Sequence, residues 1–294
     1  MKVSVRLPEL FALALLAGCA AKAGGSAAGG GGGGGGSDEG LVFEDPAGDD
    51  NGPGTFTYPT DKVYEPGSFD LRKLEVVNKG DTTEFRITVN QKISDPWDSK
   101  AWGGNGFSVQ MAFIHLDTDH AAASGVQDSL PGTNVRFAAD EAWDRVVIIS
   151  PQGPTRVNSE IDQKAAQWKD KIIVPKITRA SGRTLIAVVD TAQLGGAPAP
   201  TWGYQVLVQS NEGFPAKTDL LTRKVNEFEG QHRFGGGTDY DNDPQVMDIL
   251  AGKATGAADE AAAQHEALKK YNQAATEPKP EDLAVVPMIY PSAR

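Results

Sequence analysis

Asp45-Pro46-Ala47-Gly48-Asp49-Asp50-Asn51-Gly52-Pro53-Gly54 places three carboxylates and a side-chain amide within seven residues, Asp45, Asp49, Asp50 and Asn51. Gly48, Gly52 and Gly54 let the backbone turn sharply enough for several oxygens to face one centre. That is calcium chemistry: the ion takes roughly 6–8 hard oxygen ligands at flexible angles, and short Asp and Asn side chains supply them. The same pattern also suits a surface loop in which Asp and Asn cap their own turns. A second run, Asp239, Asp241 and Asp243 after Gly235-Gly236-Gly237, could converge in the same way, as could Asp117 with Asp119 at a strand end.

Trp97 and Trp102 are the other chemical resource. Both fall in a loop rich in Gly, Asp and Ser, where an exposed indole is costly unless something stacks on it. Sugar rings are one partner for such a platform; a plug over one end of the fold is the alternative. Trp143, Trp168 and Trp202 lie near apolar runs and read as core.

Catalysis finds little support. Carboxylate pairs for glycoside hydrolysis can be drawn from Asp117, Asp119 and the Asp239 cluster, but no spacing sets an acid apart from a base. His115, His120, His232 and His265 are scattered, and His115 to His120 only loosely suggests a transition-metal site. The Gly235–Gly237 run precedes acid, not the Lys-Ser/Thr of a phosphate loop. The chain reads as noncatalytic.

These residues need a scaffold, and the 294-residue chain, 39% hydrophobic, has enough apolar side chains for a sizeable core. A net charge of −11 argues against nucleic acid, whose phosphates such a surface repels. Short β-type runs separated by turn signals fill the region after Leu41: Leu71–Asn78, Phe85 to Val89 with strict alternation, Phe107–Leu116, Val146–Ser150, Ile172–Val174, Thr184–Val189 and Gly203–Gln209. No helical repeat alternates with them, so the expected fold is all-β, an antiparallel β-sandwich. One late helix is expected to pack at its edge through Ala257, Ala261, His265, Leu268 and Tyr271. Ala284–Tyr290 follows as an extended piece that Pro287 confines to an edge.

The N-terminus reads as a targeting segment over residues 1–18, with basic Lys2 and Arg6 before the apolar run Leu10–Ala17. Leu16-Ala17-Gly18-Cys19-Ala20 resembles the lipobox of bacterial lipoproteins, which implies lipidation of Cys19, the single cysteine of the chain. Residues 19–40 are dominated by Gly, a flexible tether whose roughly 17 Gly-rich residues reach about 20–25 Å. The expected setting is an exported protein, lipid-anchored to the bacterial cell envelope and held there by its membrane anchor. The folded domain is expected over 41–294.

Taken in order, Asp45–Tyr58, Gly67–Leu71, Asp95-Pro96-Trp97, Gly106–Gln110, Leu116–Asp119, Leu130–Val135, Trp143-Asp144, Trp202–Val206 and Asp239–Pro244 resemble the C-terminal domain of glucodextranases. The resemblance implies a sandwich similar to DOMON domains and family 9 carbohydrate-binding modules, a noncatalytic attachment linked to polysaccharide or cell-surface binding. It favours calcium at Asp45, Asp49 and Asp50. Within residues 1–294 no catalytic domain and no surface-layer repeat is expected beside it. The expectation is a calcium-stabilised carbohydrate-binding module whose ligand stacks on Trp97 and Trp102. The alternatives are an envelope lipoprotein that binds a protein partner, and a cofactor-binding DOMON-like module.

Overall fold

The computed structural model describes residues 40–240 and 242–291, so Cys19 and Asp241 lie outside the described residues. It is mostly β. One five-stranded sheet has the order β1-β2-β3-β9-β8 and a second the order β11-β10-β4-β6-β7. The first comprises β1 (Leu41–Glu44), β2 (Leu71–Asn78), β3 (Thr82–Val89), β8 (Ile177–Ser181) and β9 (Thr184–Asp190). The second comprises β4 (Gln110–Asp117), β6 (Arg145–Ile149), β7 (Ile172–Ile173), β10 (Gly203–Ser210) and β11 (Asp248–Ile249). A short parallel pair, β5 (Val135–Arg136) with β12 (Ala284–Val285), lies apart from both.

The two sheets differ in how their faces are used. In β3 buried and half-buried residues alternate along the strand, so Phe85, Ile87 and Val89 fill the core while Arg86 and Thr88 stay near solvent. Every residue of β4 and β10 is buried. Ala112, Ile114 and Leu116 enter the core shared with the first sheet, whereas Met111 and Phe113 enter a second core on the other face.

That second core is roofed partly by α1 (Pro154–Lys164), which buries Val157 and Ile161, and by Leu268 of α2 (Ala258–Leu268). The late helix is present as expected, but its buried face is rotated. Glu260, Gln264 and Leu268 are buried, while Ala257 is exposed and Ala261, His265 and Tyr271 are half-buried. Hydrogen bonds explain the rotation. Gln264 accepts from the Ile249 amide of edge strand β11 at 2.8 Å and donates to the Asp49 carbonyl at 2.5 Å, and Glu260 caps the amides of Thr255 and Gly256. The extended tail occupies an edge: Ala284 and Val285 pair with Val135 and Arg136, and Ile289 bridges Tyr204. Among the described residues, no helix is long and apolar enough to cross a membrane.

Candidate functional site

The acidic loop leaves β1 at Glu44 and turns through Gly52, whose φ of 58° suits glycine and whose amide donates to the Met247 carbonyl at 2.8 Å. A Cβ on Gly52 would lie 2.4 Å from the Phe56 ring, so the turn admits no side chain there. This close approach presents Asp45 and Asp49 to Asp248 of β11, and one carboxylate oxygen from each lies within 4.8 Å of the others. All three residues are buried. Neither Asp45 oxygen accepts a hydrogen bond, and the same holds for Asp49 Oδ1 and for Oδ1 of neighbouring Asp70. Asp70 Oδ2 is taken by the Gly48 amide and the Asn90 side chain, and Asp248 accepts from the Leu71 and Ile249 amides.

Electrostatics follow from that crowding. Burial, then Asp49, Glu260 and Asp70, push the Asp45 carboxyl up to about 9. Burial, then Asp70, push Asp49 up to about 7. Asp248 is raised well above the carboxylate range by complete burial and then by Asp45 and Asp49. Asp50 and Asp70 rise mainly through burial, and Arg72 is the cation that opposes the effect at Asp45, Asp49 and Asp70. The cluster must hold protons or a cation. Its donors are carboxylate oxygens with no sulfur or imidazole among them, a set that suits a hard divalent ion.

Sequence reading reached Asp45, Asp49 and Asp50 but not Asp70 or Asp248. Asp50 is engaged by the Tyr58 hydroxyl, and the Asn51 side chain is spent on His265 of α2 at 2.9 Å. The other acidic candidates lie elsewhere. Asp117 forms a second trio with Asp119 and Asp144, in which every carboxylate oxygen has a protein partner: amides of Asp119 and His120 and the Tyr290 hydroxyl on Asp117, Ala121 and Ser124 on Asp119, Thr118 and the Lys171 ammonium on Asp144. Asp243 is buried and organises its own loop, accepting from the Thr238 amide and the Tyr271 hydroxyl. Asp239 is exposed beside Glu227.

Trp97 and Trp102 are brought together on one open cavity of about 540 Å³, shared with Arg156, Asn211, Arg223 and His232. Asp95 builds the loop that carries them by accepting from Ser99 and Ser108, and the Trp102 indole nitrogen donates to the Trp97 carbonyl at 3.2 Å. Trp97 is half-buried, edge-on to Tyr64 and His232 and under the Arg223 guanidinium at 6.0 Å. Trp102 is 42% exposed. Arg223 is pinned by the carbonyls of Asn211 and His232 and faces Glu212 at 3.6 Å. Asn211 Oδ1 and His232 Nδ1 are buried without a partner. The wall thus offers apolar rings beside both donors and acceptors, as a ligand dense in hydroxyl groups requires. Trp143 and Trp202 are buried, and Trp168 is half-buried against the second core.

The family model for the C-terminal, SLH-like binding module of glucodextranase matches residues 41–283. The match starts with β1 and ends just before β12, enclosing the acid centre and the tryptophan cavity. No curated protein matches the chain.

Proposed function

Because the chain belongs to the family of the C-terminal, SLH-like binding module of glucodextranase, we propose that it binds a glycan without chemistry on it, in the cavity of Trp97 and Trp102. The observation that carries this reading is the convergence of two loop indoles with partnered and unpartnered polar groups on one cavity. Sugar rings stack on the indoles. Their hydroxyls accept from Arg223 and Arg156 and donate to Asn211 Oδ1. Each stacked ring contributes about 0.5–1.5 kcal/mol beyond area burial, so affinity for one site is micromolar to millimolar. Many copies on one surface compensate through multivalency.

Calcium held by Asp45, Asp49 and Asp248 stabilises the module, a reading supported by the unmet oxygens of Asp45 and Asp49. Lipidation at Cys19 displays it on the cell envelope. Metabolic labelling with a fatty acid should mark wild type and not Cys19→Ser; an unlabelled wild type removes the anchor from the proposal.

The glycan reading is tested by affinity electrophoresis on dextran, starch and cell-wall polysaccharide, comparing wild type with Trp102→Ala. Trp102 is partly exposed, so melting should hold while retardation is lost. Absence of retardation for wild type on every polysaccharide overturns the reading. One feature favours the alternative of a protein partner: Phe214, at the same cavity, is 93% exposed. Phe214→Ala abolishing capture of an envelope protein, with polysaccharide binding absent, would decide for it.

A further inference from the structure

The cavity does not end at Trp102. The indole closes the short 3₁₀ turn Ser99–Trp102, which Gly103 terminates at φ 78°, and its nitrogen is anchored to the Trp97 carbonyl. The ring is therefore held as a ridge. Beyond it lies a second open groove of about 450 Å³, bordered by Gly103, Gly153, Thr155 and Ser159, with Trp102 and Arg156 in the walls of both spaces.

Three features make this groove a place for a ligand rather than a gap in packing. Its floor is bare backbone: a Cβ on Gly153 would sit 2.1 Å from the Gly103 carbonyl oxygen, so neither the approach of these two segments nor the depth it creates tolerates a side chain there. Its far rim is the exposed face of α1, where Thr155 and Ser159 present hydroxyls. Its near rim is Arg156, whose guanidinium is fixed by Glu160 at 2.8 Å and by the Gly213 carbonyl at 3.2 Å. A guanidinium has five N–H donors, and these two contacts leave others free at the ridge.

Resting on the glycan reading above, we propose that the ligand crosses Trp102 and occupies both spaces, so that the module recognises an oligosaccharide segment of at least two rings rather than one terminal sugar. One ring lies in the Trp97 cavity and the next beyond the Trp102 ridge, with Arg156 donating to hydroxyls near the linkage. Each space has the size of a small-ligand pocket, and an anchored aromatic ridge between them suits a chain of alternating apolar ring faces and polar edges.

The experiment is calorimetry on the whole protein with glucose, isomaltotriose and maltotriose. At least one trisaccharide should bind about tenfold or more tighter than glucose. Ser159→Arg and Thr155→Arg each fill the second groove from an exposed helix position, and should erase that gain while leaving glucose affinity and melting unchanged. Equal affinity for glucose and both trisaccharides overturns the two-ring proposal and leaves the glycan reading standing. Failure of all three sugars, and of dextran, starch and cell-wall polysaccharide, to bind wild type overturns both. A trisaccharide gain that survives both arginine variants overturns the placement of the second ring.

Discussion

Two acidic trios of similar compactness sit in this fold with opposite electrostatic fates. Around Asp117, Asp119 and Asp144 each oxygen is met by an amide, a hydroxyl or a lysine, so the charges are spread into local hydrogen bonds. Around Asp45, Asp49 and Asp248 the carboxylates are all buried and several oxygens meet nothing. Proximity of acids is common to both. Unmet oxygen valence in a dry place belongs to one, and that is what calls for protons or a cation.

The largest expected effect separates them directly. Calcium at a hundredfold excess over Kd adds about 2.7 kcal/mol, which raises Tm by roughly 5–10 °C for a domain of this size. Asp45→Asn should abolish that response in thermal melts, whereas Asp144→Asn should melt lower than wild type yet keep it. Coincident melts of wild type in calcium and in chelator would remove the distinction between the trios.

Next in size is pH. Folded-state values raised above the ordinary carboxylate value make the protonated acids stabilising at low pH, a contribution lost as pH rises through the folded-state values. Metal-free protein should therefore lose stability from about pH 5 upward, through about 7 for Asp49 and about 9 for Asp45. Saturating calcium inverts the trend, because protons then compete with the ion. Denaturant midpoints across this range check it, and a metal-free midpoint that rises with pH contradicts the reading.

A smaller effect is expected at Tyr58, whose hydroxyl donates to Asp50 and accepts from the Gly67 and Phe69 amides. Tyr58→Phe leaves those groups unpaired and should cost about 1–3 kcal/mol in denaturant titration, with calcium still bound. The smallest belongs to Asp119, which is partly exposed and touches only its own turn. Asp119→Asn should stay within about 0.5 kcal/mol of wild type and leave the calcium shift intact.

How far the sequence reveals this depends on the range of the forces involved. Strand β3 is legible because one face is wet and the period of two is visible; β4 and β10 read as runs because both faces are dry. The helix α1 has only a short local signal, Pro154 at its start and Val157 with Ile161 four residues apart. Apolar spacing points to a different face of α2 from the one that packs, because the fold buries Glu260 and Gln264 for their hydrogen bonds. Asp45 and Asp49 announce themselves locally. Asp248 is some 200 residues away and had one clue, a single acid inside the apolar run Val246-Met247-Asp248-Ile249-Leu250, where an unpaired charge is too costly to stand alone. Trp97 and Trp102 share a loop and could be paired by eye, but Arg156, Asn211 and Arg223 come from three other segments.

The position of Asp45 directly after β1 also bears on mechanics. Whatever precedes Gly40 enters the fold through this four-residue strand, which lies at the border of its sheet beside β2, with one further bridge from Glu44 to Thr255. Tension arriving from the N-terminal side would peel β1 from Leu41 onward, and the first residue past the peeled ladder is Asp45. Asp248, its partner in the acid centre, belongs to β11 at the border of the opposite sheet. An ion shared by the two would rivet one sheet to the other where pulling would otherwise begin to unzip the molecule, so its occupancy would set the force the domain withstands as well as the heat.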